Sequence, residues 1–456
     1  MTDLVWTGKG GGPSPFVNAF DHPQINSLRY NTSQAGSPVH ICYGTQRVTV
    51  NVLEFWGFAG SGGGGKGGKG LGGSGGKKGS NQQYAVDVAF GLCQGPVAFS
   101  GAIHGDGSGN RIWANGGIAV GIGTVGLNGY SGNDGQAPDP VFASADTNQP
   151  VIGYSGTAYV TGAPLRLGSS PALPNVSFEI TGVCAGTAGG SFPDDARPDQ
   201  IVADLLTNPR YGSGFPAANI DLAAFADWGD YCQAAGLAMS MLLDRQQPAA
   251  RWLDEIAALT VSAVVWSGKG LKVIPYGDQA LSAYGASWSP DLTWQYSLND
   301  GDFLPWGEGR GDSDGAGGSD PVLLIRDDPA QAANWVSLEY MDAANSYNPQ
   351  IIAVFDQGMI DQFGLRTEAP LQAHAFTNPT SATVSAQLQL QRRAYVRNLY
   401  KFKLGWKYCL LEPMDIVLIS DSTLGLAAAP VRIIQIDEDD NGELAVTAEE
   451  IPGLTP

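Results

Sequence analysis

A G-x-G-x-x-G pattern stands at residues 121–126, and in dinucleotide-binding proteins this pattern holds a pyrophosphate. That chemistry needs a helix directly after the last glycine, because the N–H groups at the helix N-terminus bind the phosphates. Residues 127–132 are instead rich in Gly, Asn and Ser, which is typical of a loop. The pattern therefore predicts a glycine-rich strand and turn without a dinucleotide site.

A second glycine-rich segment, residues 60–80, has the spacing of a P-loop at Gly60 and Lys66. Gly67 stands where a Ser or Thr would bind magnesium, and a helix does not start within a run of glycines. Residues 72–76 fit G-x-S-x-G, but a nucleophile elbow must be a rigid strand-to-helix turn. We therefore predict neither a nucleotide site nor a serine nucleophile here.

Carboxylates and histidines do not combine into a site in the sequence. Residues 437–442 resemble the start of a calcium loop, but the position of the bidentate Glu is Ala448 and the flanking residues predict strands. No two carboxylates stand out as an acid and a base. We predict no catalytic residue, no cofactor and no metal site. The histidines are isolated in the sequence and lack metal-ligand spacing: His22, His40, His104 and His374.

Composition excludes several classes of protein. The chain has 456 residues, 43% of them hydrophobic, which suffices for packed cores. At about 150 residues per domain, roughly three domains are expected. The net charge of −19 repels nucleic acid, whose binding proteins present a basic face. We expect no secretory signal, and the longest apolar run, residues 256–266, is too short for a membrane helix. We expect a soluble protein or part of a soluble assembly.

The five cysteines are widely spaced and include no C-x-x-C pair. A sparse, odd set is neither a disulfide framework nor a zinc site. We expect mostly buried, small apolar side chains, although one exposed thiol or an inter-chain bridge stays open. The residues are Cys42, Cys93, Cys184, Cys232 and Cys409.

Residues 1–191 are predicted to form a β-rich domain. Apolar side chains alternate with others in residues 48–52 and 84–90, which is the period of a strand. Residues 60–80, between these strands, are almost all Gly, Ser and Lys, which predicts a long loop at the tip of a hairpin. This loop is the one candidate interaction site, and its lysines are Lys66, Lys69, Lys77 and Lys78.

Residues 192–285 are predicted to form a small inserted α+β domain. Apolar residues at helical period predict three helices, and residues 263–266 and 271–274 predict a hairpin. The residues expected at the helix ends are Asp194 or Asp195 and Pro198 for the first helix, Asp221 and Gly236 for the second, and Pro248 for the third.

Residues 286–456 are predicted to form a second β-rich domain after a polar, glycine-rich link at 307–320. Residues 381–394 suit either a helix or a strand, since their apolar positions fit both periods. The last two strands flank Asn441 and Gly442, and Asn-Gly is a strong signal for a hairpin turn.

The order of these segments resembles the tail hub proteins of tailed bacteriophages and gene transfer agents. This family is related to the tip attachment proteins of lambda-like phages and to the baseplate hubs of contractile tails. No single motif is specific, so the resemblance depends on collinear order over most of the chain. Pro413-Met414-Asp415 departs from the Pro-Gly-Asp of many relatives. The matching segments are residues 36–48, 84–97, 112–113, 201–206, 220–221, 232, 236–237, 334–340, 364–366, 415–421 and 432–450.

The resemblance implies a multidomain α+β, β-rich hub fold and a homotrimer, in which two β-barrel-like domains per chain form a pseudo-sixfold ring. It implies partners on both sides: a hexameric tail tube or distal tail protein above, and a tail spike or fibre protein below, together with the tape measure protein. It further implies assembly in the host bacterial cytoplasm and a final position at the tail tip of the virion. DNA would pass through the lumen transiently without specific binding, which suits the negative charge.

Within such a hub, we expect the lysines of residues 60–80 to point into the lumen or the distal opening and to contact acidic partners or the host membrane surface. The alternative is a solvated loop without a partner.

Two other functions stay open. A tail-tip adhesin that binds a receptor or carbohydrate would be favoured by exposed aromatic residues such as Trp288 or Trp306 on a distal face. A cell-wall hydrolase would need two carboxylates that face each other across a cleft. Long relatives continue with receptor-binding modules, whereas this sequence ends at Pro456, so receptor recognition is expected in another chain.

Overall fold

The computed structural model describes residues 38–62, 82–98, 111–114, 117–118, 127–145, 152–268, 270–306 and 320–455. The chain forms two compact units. The first unit comprises Met1–Ala185 and Ser240–Gln246, and the second comprises Gly186–Met239 and Gln247–Pro456. The β-rich α+β class expected from the sequence is confirmed. The three-domain division stays a prediction.

In the described part of the first unit, most elements are strands. They are β1 (Ile41–Tyr43), β2 (Thr45–Thr49), β3 (Asn51–Gly62), β4 (Gln82–Gln94), β5 (Ile112–Ala114), β6 (Gly117–Ile118), β7 (Leu127–Tyr130), β8 (Thr157–Gly168), β9 (Val176–Thr181) and β10 (Met241–Leu243), with one helix, α1 (Pro140–Ala145).

Two four-stranded sheets form the body of the first unit, with strand orders β3-β4-β8-β7 and β2-β9-β5-β6. Side chains from both sheets belong to one buried cluster, in which Val88 and Phe90 of β4 join Ile112 and Phe178. The alternation of residues 84–90 places every second side chain in this core, since successive strand residues point to opposite faces.

The second unit contains the remaining elements. Its helices are α2 (Pro198–Thr207), α3 (Leu222–Ala235), α4 (Ala249–Leu259), α5 (Gln357–Phe363) and α6 (Pro379–Tyr395). Its strands are β11 (Ser262–Ser267), β12 (Gly270–Pro275), β13 (Leu281–Ala283), β14 (Ala286–Trp288), β15 (Trp294–Leu298), β16 (Phe303–Leu304), β17 (Leu323–Arg326), β18 (Trp335–Asp342), β19 (Asn348–Phe355), β20 (Leu371–Gln372), β21 (Asn398–Leu404), β22 (Ile416–Asp421), β23 (Leu426–Glu438) and β24 (Leu444–Glu450).

The second unit has a large sheet, a small sheet and two further strand pairs, β11-β12 and β13-β14. The large sheet has seven strands in the order β15-β22-β23-β24-β21-β16, with β17 also paired to β21. Its core includes Phe402, Val417, Ile433 and Val446, all buried. The small sheet has three strands in the order β19-β18-β20.

Most of the local predictions for the second unit are confirmed. The Asp221 carboxylate caps α3 by accepting from the N–H groups of Ala223 and Ala224, and Gly236 ends the helix in the left-handed conformation. Pro248 precedes α4, and β11 pairs with β12 as the expected hairpin.

The structure corrects one prediction about helices and decides another that was left open. Asp194 and Asp195 do not cap α2; Arg197 is its N-cap residue and gives no side-chain cap. The Asp195 carboxylate instead accepts from Thr377 Oγ1 and Asn378 Nδ2, so it fixes the start of α6. Residues 381–394, left open between helix and strand, belong to α6.

A buried ionic cluster joins α6 to the large sheet. Arg392 donates two parallel hydrogen bonds to the Glu449 carboxylate, at 2.9 and 2.6 Å, and its guanidinium lies 3.6 Å from the centre of the Tyr276 ring. Arg432 donates to the Tyr276 carbonyl at 2.9 Å. Burial lowers the pKa of Arg432, and the nearby Glu449 opposes that change. The cluster holds α6 where it can cover the small sheet.

Candidate interaction surface

The predicted hairpin around the glycine-lysine segment is confirmed at its base, where β3 and β4 pair antiparallel out to Gly62 and Gln82. The lysines Lys66, Lys69, Lys77 and Lys78 lie outside the described residues, and so does the 121–126 pattern. The interaction role of the loop therefore stays a prediction.

The calcium-like segment is a turn, as predicted. It connects β23 to β24, and the Asp439 carboxylate accepts from the N–H groups of Asn441 and Glu443 at 2.9 Å each. Gly442 takes the positive φ of +76° that the turn requires. Within the described part of the chain, no group of three or more His, Cys, Asp or Glu residues could hold a metal ion.

Two of the four histidines lie in the described residues. Burial lowers the pKa of His40, and the charge of Asp244 opposes the change. His374 Nε2 lies 2.7 Å from Glu339 Oε1 at the surface of the small sheet. The two histidines lie in different units.

The cysteines largely follow the prediction. Cys42, Cys93 and Cys232 are buried, whereas Cys409 is exposed. Burial raises the pKa of the Cys42 thiol to about 12, which makes it an unreactive core residue at neutral pH.

The aromatic residues named for an adhesin do not form an exposed platform. Trp288 is only 5% exposed, and its Nε1 donates to Asp227 Oδ2 at 2.9 Å. Trp306 is half-buried and donates to the Pro321 carbonyl at 3.2 Å. Trp288 therefore gives no support to carbohydrate binding.

A polar cluster in the first unit was not found from the sequence. The Asp139 carboxylate accepts from Tyr130 at 2.8 Å, from Thr161 at 2.6 Å and from the Val141 N–H at 2.7 Å. Burial disfavours its charge, but these hydrogen bonds outweigh burial and lower the pKa of Asp139. Because the carboxylate holds the start of α1 against the sheet, we assign it a structural role.

The small sheet of the second unit has one covered face. Side chains alternate along β18, and Val336, Leu338 and Tyr340 are all buried. Helix α6 packs against both β18 and β19 on this side. The alternation of residues 336–340 is therefore that of a strand with one face on a core.

The opposite face of the small sheet is open to solvent. Ile351 is 60% exposed and Phe355 is 49% exposed, and the Phe355 ring stacks on Trp335 at 4.9 Å between ring centres. We call this surface the open face. Its members, paired across the two strands, are Trp335 with Phe355, Ser337 with Ala353, Glu339 with Ile351, and Met341 with Pro349.

Strand β19 is also a free edge, since within the described residues it pairs with β18 alone. The Asp356 N–H donates to the Asn334 carbonyl on the β18 side. The backbone groups of the even-numbered residues of β19 therefore form the hydrogen bonds to β18. Consistently, Trp335 and Met341 of β18 donate away from β19, to Arg366 and Phe376. The N–H and C=O groups of residues 351, 353 and 355 therefore face outward.

The end of β19 is firmly anchored. The Asp356 carboxylate caps α5 through the Met359 N–H at 3.0 Å and accepts from Tyr395 Oη of α6 at 2.7 Å. The Tyr395 hydrogen bond lowers the pKa of Asp356. The outward edge is thus held in place before any partner binds, which reduces the entropic cost of binding.

Residues 248–436, which include the small sheet and most of the large one, match the family model described as "Putative phage tail protein". No curated relative matches the sequence. Among solved structures, the chain is similar to a chain of the virion of a native gene transfer agent particle. That match has 18% identity and a TM-score of 0.57, and it covers 94% of this chain and 87% of the other.

Two weaker matches are described as tail proteins. Prophage tail protein gp18 from Listeria monocytogenes EGD-e has 10% identity and a TM-score of 0.31, with 82% of this chain and 86% of that one covered. The 43 kDa tail protein of prophage MuSo2 from Shewanella oneidensis has 15% identity and a TM-score of 0.30, with 82% and 92% covered.

Residues 248–436 thus match a phage tail protein family, and the fold of the chain is shared with a chain of a gene-transfer-agent virion. The resemblance stated from the sequence is thereby confirmed at that level. No helix among the described residues is long and apolar enough to cross a membrane.

Proposed function

We propose that this protein is a structural subunit of a phage-type tail, namely a homotrimeric hub at the tail tip. In this role it joins a hexameric tail tube or distal tail protein to a spike or fibre, contacts the tape measure protein and lines the channel through which DNA leaves. The role is architectural rather than catalytic. Assembly in the bacterial cytoplasm precedes its incorporation into the virion.

The observation that carries the proposal is the shared fold with the gene-transfer-agent virion chain, which extends over nearly the full length of both chains. Two further features support it. Each unit contains a multistranded sheet, so three copies would offer six such units to a sixfold ring. The net charge of −19 disfavours adhesion of DNA to a channel wall.

The test is the molar mass of the purified 47.6 kDa chain by light scattering, alone and with a purified hexameric distal tail protein. We expect a trimer, or a monomer that becomes a trimer on the ring. A stable monomer that ignores the ring would contradict the hub and would direct attention to glycan and receptor binding.

A further inference from the structure

Two strands of eight or more residues lie at the edge of a sheet in the described part of the chain, β3 and β19. An edge strand presents unpaired N–H and C=O groups, so proteins usually block it with bulges, charges or proline. β3 is blocked in this way. The register of its pairing with β4 shifts at two points. The strand also carries the charged Glu54, and Gly57 has a φ of +56°.

β19 lacks nearly all of these devices. Its eight residues pair with β18 without a register shift, and none of them is charged. Pro349, near its start, lies at one of the outward-facing positions and removes one N–H from the free edge. Beyond it, Ile351, Ala353 and Phe355 present regular outward N–H and C=O groups beside the apolar open face.

The chemistry of this edge selects a protein strand as its occupant. A row of alternating backbone donors and acceptors is satisfied by another strand, and the adjacent Trp335, Ile351 and Phe355 side chains favour an apolar surface on the same partner. A glycan or a nucleic acid would stack on the Trp335 and Phe355 rings but would leave the regular row of backbone N–H and C=O groups unpaired.

The proposed trimer indicates which protein supplies the strand. Two copies of a chain with a net charge of −19 repel each other, so we expect their contact where few charged side chains meet. Residues 348–355 carry no charge, and Glu339, the one carboxylate on the open face, lies 2.7 Å from His374 Nε2. We infer that the free edge of β19 pairs with a strand of a second copy of this chain, with the open face buried in the contact. This inference rests on the proposed trimer and assigns its interface.

Two variants test the inference in the full-length chain. Ile351→Lys places a charge on the open face, and Ala353→Pro removes an outward N–H while the bonds to β18 remain. Leu410→Lys is the matched control, because Leu410 is 78% exposed and lies outside the small sheet. Far-ultraviolet circular dichroism and the urea midpoint establish that each variant folds, and sedimentation measures trimer formation.

We expect both β19 variants to weaken the trimer about thirtyfold or more, as for a central interface residue, and Leu410→Lys to leave it unchanged. If the two variants form trimers as wild type does, the inference is wrong but the hub proposal stands. If the two variants form trimers but no longer bind the distal tail protein, the edge binds that partner instead of a second copy. A wild-type chain that is monomeric under all conditions overturns both. An equal weakening of the trimer in all three variants, the Leu410→Lys control included, also contradicts the inference.

Discussion

The two long edge strands end their sheets in opposite ways. β3 in the first unit is bulged at two points, and its Glu54 carboxylate accepts a hydrogen bond from Tyr154. β19 in the second unit is regular, uncharged and flanked by an open apolar face. A free edge can thus be blocked by local distortion or stay regular and open to a partner strand. The backbone geometry of the strand distinguishes the two kinds of edge.

The largest expected effect concerns the inward side of β19. Val354→Pro removes an N–H that bonds towards β18 and leaves a carbonyl of β18 without its donor, so we expect a loss of about 3 kcal/mol in unfolding free energy. Ala353→Pro, one residue earlier, should cost less than about 1 kcal/mol because its N–H faces outward. Urea denaturation of the dilute proteins measures both, and equal losses would refute the assigned alternation.

The second effect concerns the Asp139 cluster of the first unit. Asp139→Asn replaces a carboxylate that accepts three hydrogen bonds, and we expect a loss of about 2 kcal/mol at neutral pH. Since the folded pKa of Asp139 lies below its unfolded value, the stabilisation is present above the unfolded pKa and disappears as pH falls through the folded pKa.

Urea midpoints at neutral and acid pH should therefore differ less for Asp139→Asn than for wild type. Asp254→Asn, at an exposed position of α4, is the control and should keep the wild-type pH dependence. A full wild-type pH dependence in Asp139→Asn would show that other groups cause it.

The third effect concerns the distortion of β3 itself. Gly57→Ala should cost about 1 kcal/mol, because alanine is strained at a φ of +56° and its Cβ would lie 3.0 Å from Asp87 Oδ2. Gly190→Ala is the control, since no atom lies within 4 Å of an added Cβ there. A neutral Gly57→Ala variant would mean that β3 can relax into a regular edge.

The smallest stability effect concerns the open face. Ile351→Ser should change the unfolding free energy of the monomer by less than about 0.5 kcal/mol, since the side chain is already 60% exposed. The same change should weaken the trimer, as sedimentation over a concentration series would measure. A large stability loss without an effect on the trimer would assign the residue to the fold instead.

The sequence predicted elements whose signals are local. Asp221 and Gly236 mark both ends of α3, and Asn441 with Gly442 marks the last turn, because caps and turns depend on a few neighbouring residues. Asp195 was misassigned as a cap for α2 because its partners, Thr377 and Asn378, lie about 180 residues away.

The candidate surface could not be predicted in the same way. Residues 348–355 form an apolar run that suits a buried strand as well as an edge strand. Which one it becomes depends on the strands that pair with it, and within the described residues β18 alone does so. Likewise Trp288 seemed available for a ligand until its contact with Asp227 placed it inside.

Backbone hydrogen exchange resolved to single residues, in dilute monomer and in assembled protein, tests the central claim most directly. We expect the amides of Ile352 and Val354 to be protected in both states, whereas those of Ile351, Ala353 and Phe355 become protected only on assembly. Outward amides that exchange equally fast in both states would contradict the claim that β19 forms the subunit interface.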